Sequence, residues 1–368
     1  MKRRDFGKAV ATGAVDAAFA VPVSASQPKP SRRAAMHVGC QAGGVTIENL
    51  EFKARHGVFN IDGDEPKRVE GKGWDLEDSL RKREMCEKYG IKLQAYHLWH
   101  SQGIESTEFP AIMLGQSPQR DRDIEQVQQM IMVAGKTGVR LLNYNTTILG
   151  MLRTGRTKDP QRGNALYNTW NYQEALKRNE PKTIAGVVTA DMMFERITYV
   201  LDRILPVAAE YKVQLGNHIA DPPTHAGYRG ITRWNSPDVA AGIKRFAELY
   251  DSPYHGFNLC LGSTAEGLKD PKTEIHPIIR YLGARKQIFN IHLRNIKGGW
   301  DNFMEVYPDN GDMDFYQVVR TLRDVGYPYM LCPDHVPEHA DPAARNQAFA
   351  FAYGYIKAMV QAVNSEVT

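Results

Sequence analysis

Residues 215–223 read LGNHIADPP, and this stretch decides the fold. A short apolar run ends in Leu215. The polar residues Asn217, His218 and Asp221 follow at once, and Pro222 and Pro223 stop regular structure. A strand that ends in His and Asp and then breaks presents those side chains at its C-terminal end, where barrel enzymes place their chemistry. Three later apolar runs end the same way. Residues 255–260 end in Cys260, residues 287–292 in His292 (followed by LRN), and residues 329–334 in Asp334 (followed by His335). Four successive strand ends therefore offer His218, Cys260, His292 and Asp334. That N/S/O donor set suits a divalent transition metal. Each residue alone has a plainer reading, a hydrogen-bonded core histidine or a buried thiol. The conjunction at one mouth points to a metal site.

Working back from this stretch, strand and helix alternate from residue 34. Apolar strands are predicted at 36–40, 58–61, 91–96 and 139–144, before the four already named. Helices are predicted at 46–56, 75–89, 124–135 and 191–211, then at 237–250, 274–282, 314–325 and 343–363. Helix 191–211 carries one apolar stripe of Phe194, Ile197, Leu201, Ile204, Leu205 and Ala208, with a kink expected at Pro206. Eight such units predict an α/β protein, a (β/α)8 TIM barrel. An open doubly wound sheet would want a glycine-rich phosphate turn after strand one, and Gly39, Gly43 and Gly44 do not form it. Residues 98–121 and 145–189 have little periodicity. They read as long insertions after strands three and four, on the mouth that carries the ligand cluster.

The chain has 368 residues, enough for one barrel domain over 34–368, and its 42% hydrophobic and 24% charged composition is that of a globular protein. A net charge of +4, without basic runs interleaved with aromatics, gives no nucleic-acid footprint. Residues 1–26 read as a targeting segment. Arg3-Arg4-Asp5-Phe6 resembles a twin-arginine export motif, with small residues at 24–26 for cleavage, and its apolar part is too short to cross a membrane. Removing it leaves a net charge of +2 and a Pro/Ser linker at 27–33. A disordered basic terminus is the plainer alternative. The expected location is the periplasm. Cys40, Cys86, Cys260 and Cys332 show no disulfide or CxxC spacing. Twin-arginine export carries folded proteins, so a thiolate site could be filled before export.

Over residues 104–357 the chain resembles the mannonate dehydratases of the xylose-isomerase-like barrel group. The resemblance rests on Ile104-Glu105-Ser106, Leu114-Gly115, Arg120-Asp121 with Ile124-Glu125, and Tyr144-Asn145 with Arg153-Thr154. It continues through His218 to Pro223, Leu259 to Ser263, His292-Leu293-Arg294-Asn295, Phe303 with Glu305, Gly311-Asp312 with Asp314, and Pro333-Asp334-His335. It implies a metal, typically Mn²⁺, held by His218, Cys260, His292 and Asp334, and loss of water from D-mannonate to give 2-keto-3-deoxy-D-gluconate. The expected acid/base is His335. Arg294 is the expected carboxylate clamp, against a plainer role in a structural ion pair. Asn145, Asn217, Asp221 and Arg294 are the candidate substrate contacts, and Asp221 could also orient a ligand imidazole.

The chain departs from the family pattern at Ile219-Ala220, around Phe109-Pro110, and at Phe349-Ala350. A family tyrosine is missing at this last place, for which Tyr353 is the substitute to test. Two other functions stay open: a sugar isomerase or epimerase of the same barrel group, and a non-catalytic sugar-acid binding protein. The implied partner is a small sugar acid, with no nucleic acid and no membrane. Self-association into a homo-oligomer stays open.

Overall fold

A computed structural model describes residues 32–98 and 103–367. The export motif and most of the 27–33 linker lie outside the described residues. Eight parallel strands form the central sheet: β1 (His37–Val38), β2 (Asn60–Asp62), β3 (Lys92–His97), β4 (Leu141–Tyr144), β5 (Gln214–His218), β6 (His255–Cys260), β7 (Ile288–His292) and β8 (Met330–Cys332). Neighbours pair in sequence order from β2 to β8, and β8 pairs with β1 through Met330 and His37. A parallel bridge between Cys40 and Ile61 joins β1 to β2, with the Asp62 amide donating to the Cys40 carbonyl at 2.9 Å. The ring thus closes as a (β/α)8 barrel.

Each strand leads to a helix on the outside. The long ones are Gln119–Lys136, Ala190–Tyr211, Pro271–Ala284 and Ala344–Ser365. Several start where the sequence supplies an oxygen to an unpaired helical amide. Thr46 accepts from Asn49 N, Asp75 from Asp78 N, Thr189 from Met192 N and Asp238 from Ala241 N. Each such cap contributes about 1 kcal/mol. Helix Ala190–Tyr211 buries the expected stripe and runs as one helix through Pro206. Strands β4, β6 and β7 are buried at every residue, as parallel strands covered on both faces must be. A small cluster of Ala95, Leu141, Phe289, Met330 and Cys332 joins opposite sides of the ring, so it fills the barrel.

The insertions are more ordered than their composition suggested. The segment after β4 forms strands Gly155–Asp159 and Ala165–Asn171. A further hairpin after β7, Asn295–Gly299 with Asn302–Val306, pairs with them in one four-stranded antiparallel sheet. This third insertion was not foreseen. Its strands are half polar, because one face meets solvent, and so lack the apolar runs that mark barrel strands. It stands over the C-terminal mouth and brings Glu305 back to it. All four cysteines are free and buried. Among the described residues, no helix is long and apolar enough to cross a membrane.

Candidate metal centre and active site

His218, Cys260 and His292 are the last residues of β5, β6 and β7, and Asp334 lies two residues beyond β8. Four adjacent strands therefore deliver one donor each to one corner of the mouth, and the donor atoms all lie within 4.8 Å of one another. Backbone and neighbours orient the imidazoles. His218 Nδ1 lies 2.6 Å from the Ile219 carbonyl, which accepts its proton and leaves Nε2 for the cluster. The Asn258 amide sits 3.1 Å from His292 Nε2. Asn258 Oδ1 in turn accepts from Asn290 Nδ2 at 3.2 Å. His292 Nδ1 is buried, has no hydrogen-bond partner among the described residues, and lies 3.6 Å from Asp334 Oδ1. An orphaned imidazole nitrogen beside a thiol and a carboxylate fits a divalent cation.

The electrostatics prepare this corner for a cation. Burial alone would raise the Cys260 thiol. The Arg294 guanidinium opposes it, Asp334 raises it, and the neighbouring imidazoles of His218 and His292 lower it, with the net result that it falls to about 5. Burial would likewise raise the Asp334 carboxyl, but His335, His292, Arg294 and His218 hold it far below the usual carboxylate range. Two anionic donors beside two imidazoles offset a 2+ ion.

A second set of clustered carboxylates, Asp221, Glu266 and Glu305, lies behind the first. Its charge is already answered by two guanidiniums. Arg294 contacts Asp221 at 2.8 Å, Glu266 at 3.0 Å, Asp334 at 3.2 Å, and Glu305. Arg153 contacts Asp221 at 2.6 Å, Glu266 at 3.3 Å, and Glu305. Burial and neighbouring Asp221 push the Glu266 carboxyl well above its ordinary value, against the pull of both arginines. Asp221 and Glu305 are held well below theirs, where the guanidiniums outweigh burial. This is an arginine-filled support for the metal corner.

In front of the corner lies a cavity of about 600 Å³, lined by His218, His292, Asp334 and His335, with His97 and Asn145 among its other walls. His335 follows Asp334 directly and reaches the cavity. Its Nδ1 lies 2.9 Å from Glu305 Oε1 and its Nε2 3.7 Å from Asp334 Oδ1. Burial would lower its pKa, but Asp334 and Glu305 raise it to about 9. A second cavity of about 760 Å³ shares Met151, Asp334, His335 and Arg345 with the first.

Three expectations change here. Arg294 is fully buried, does not line the cavity, and is used up by its carboxylates, so it does not meet a substrate carboxylate. Asn217 is buried and hydrogen-bonded to Thr146. Alternation along β5 sends it to the face opposite His218. Tyr353 is buried with its hydroxyl 2.7 Å from Cys40 Sγ, away from the cavity lining, and so does not replace the missing tyrosine. Asn145 and Asp221 do line the cavity, although Asp221 is held by Arg153, Arg294 and Ser263. Glu266 was missed. It lies six residues beyond Cys260, where nothing in the sequence separates it from a surface glutamate.

The model of the D-mannonate dehydratase (UxuA) family matches residues 37–184 and 173–365. The chain belongs to the D-mannonate dehydratase family. A mannonate dehydratase of Thermotoga petrophila is 29% identical over 326 residues, covering 79% of this chain and 85% of the relative. The crystal structure of mannonate dehydratase from Streptococcus suis serotype 2 superposes with a TM-score of 0.73 at 24% identity, covering 90% of this chain and 93% of that one. A xylose isomerase domain protein from Planctomyces limnophilus superposes at 0.55 with 14% identity, over 90% and 99% of the two chains, which shows the shared barrel alone. Mannonate dehydratases are metal-dependent hydro-lyases. The cluster at β5 to β8 is where a mannonate dehydratase of this sequence could hold its ion.

Proposed function

We propose that this protein removes water from an aldonic acid, with D-mannonate the first candidate, to give 2-keto-3-deoxy-D-gluconate. The observation that carries this reading is the four-donor corner opening onto a cavity that also receives His335. His218, Cys260, His292 and Asp334 would hold the ion, for which Mn²⁺ is proposed. When bound, the ion supplies Lewis acidity toward the substrate's carboxylate and hydroxyl oxygens. The chain's own groups do the rest. His335, with its proton favoured by Asp334 and Glu305, is placed to protonate the departing C3 hydroxyl. Glu305 orients its ring and is itself fixed by Arg153 and Arg294. Asn145 stands on the cavity wall, where the substrate's hydroxyls would lie.

The test is metal-loaded protein against a panel of aldonic acids, with detection of 2-keto-3-deoxy acids. Release from D-mannonate or another aldonate supports the reading. Interconversion of sugars without loss of water would favour the isomerase or epimerase function, and tight binding of an aldonate without turnover the binding protein. We also propose twin-arginine export to the periplasm, supported by Arg3-Arg4-Asp5-Phe6 at the start of the chain.

A further inference from the structure

Dehydration of an aldonate needs two proton movements at adjacent carbons. One group takes the hydrogen from C2, and another gives a proton to the oxygen leaving C3. His335 serves the metal side of the cavity. The metal donors come from β5 to β8, which is half of the ring. In the closed ring of eight strands, β3 stands opposite β7, and β2 stands opposite β6. The last residue of β3 is His97 and the last residue of β2 is Asp62. So His97 faces the metal corner from across the mouth, and it lines the same cavity as His218, His292 and His335.

Its surroundings are those of an oriented imidazole. Asp62 is buried, and its Oδ2 accepts from Asn143 Nδ2 at 2.6 Å. Its Oδ1 accepts no hydrogen bond and lies 3.5 Å from His97 Nδ1. An Nδ1–H turned toward Asp62 makes Nε2 the basic nitrogen of the ring. Three further acids on these walls, Asp64, Asp221 and Asp334, are committed. Asp64 is taken by Lys82 and the Val45 amide, Asp221 by two arginines, and Asp334 belongs to the metal corner.

We propose that His97, positioned by Asp62, is the base that removes the C2 proton of the aldonate, from the face of the substrate opposite the metal corner. The inference rests on the dehydratase reading above. The C2–H bond breaks and its proton goes to His97 Nε2, while the electron pair forms the enediolate. Collapse of the enediolate makes the C2–C3 double bond and breaks C3–O. The oxygen leaves as water with a proton from His335. The resulting enol gives its hydroxyl proton back to His335, and the proton on His97 is delivered to C3. Both histidines return to their starting states, with no oxidant or co-reactant. Because base and acid stand on opposite walls, elimination is anti.

The test is holoenzyme in deuterated water, followed by NMR, with wild type, His97→Gln, Asp62→Asn and His335→Asn. Metal content and circular dichroism are measured for each variant. We expect His97→Gln to keep the metal and the fold, to lose turnover by about 10²-fold or more, and to stop exchange of the C2 hydrogen of recovered substrate. His335→Asn should also stop dehydration but keep C2 exchange, since only the leaving step is lost. Asp62→Asn should lower kcat with KM unchanged. A His97→Gln variant that still exchanges C2–H at the wild-type rate, or that loses activity only through loss of metal, overturns the assignment. If the wild type neither dehydrates nor exchanges any aldonate, the dehydratase reading falls and His97's role falls with it. Activity in the wild type with full activity in His97→Gln removes the role of His97 alone.

Discussion

His335 Nδ1 lies 2.9 Å from Glu305 Oε1, and this contact chooses which ring nitrogen His335 turns toward Asp334 and the cavity. Glu305 arrives on the hairpin after β7, and His335 on the loop after β8. The pair therefore exists only because the antiparallel insertion folds back over the mouth. His335→Asn should keep metal content and thermal stability close to wild type. It should lower release of 2-keto-3-deoxy acid by about 10²-fold or more, the scale of a lost general acid. Full activity in this variant would remove His335 from the chemistry.

Cys260→Ala should leave the barrel folded and lower metal stoichiometry, measured by plasma mass spectrometry after dialysis, because one strong donor of four is gone. The same thiol gives a pH signature in chelator-treated protein. Its folded pKa is depressed to about 5, so the thiolate dominates at neutral pH and disappears as pH falls through that value. Burial raises Cys40, Cys86 and Cys332 instead, so they stay silent in that range. Thiolate absorbance should show one acidic step, absent in Cys260→Ala.

Arg294→Leu should be severely destabilising. It leaves Asp221, Glu266 and Glu305 with one guanidinium between them in a buried site, a change on the order of 3–5 kcal/mol. Arg294→Lys should rescue little of this, since an ammonium cannot span the four carboxylates as the planar fork does. Gly262→Ala provides a subtler version. A Cβ there would meet Arg294 Cζ at 2.9 Å, so the guanidinium must shift. Denaturant midpoints should fall in the order wild type, Gly262→Ala, Arg294→Leu.

Replacement of Arg3 and Arg4 together by lysine should hold the protein in the cytoplasm without changing its activity in lysates, because the proposed machinery lies far along the chain from these residues. Cell fractionation with an activity assay checks it. Periplasmic activity that survives the double substitution would remove the export reading.

Much of the barrel was legible from the primary structure, and for a local reason. Each parallel strand is buried on both faces, so it must be a short apolar run, and each run that ends in His, Cys or Asp marks a strand's C-terminal end. Residues 215–223 and the three later strand ends therefore pointed to one corner, and the structure brings His218, Cys260, His292 and Asp334 together there. The family resemblance named Arg153 and Glu305 as well, but could not say what they touch.

Tertiary structure decided everything that depends on pairing across distance. Arg294 looked available because it lies two residues after His292. It is fully buried because Asp221, Glu266, Glu305 and Asp334 converge on it from separate loops. Asn217 and His218 are neighbours in the chain yet face opposite ways, since strand side chains alternate. The wall sheet was invisible because its four strands come from two insertions over a hundred residues apart, and half-exposed strands carry no apolar run. His97 and Asp62 stand some thirty-five residues apart in sequence; pairing of β2 with β3 sets them side by side, and closure of the ring places them across from the metal corner. The barrel's pattern is local, because burial acts on each strand separately. The site's chemistry is not, because charges answer one another only where the fold has placed them.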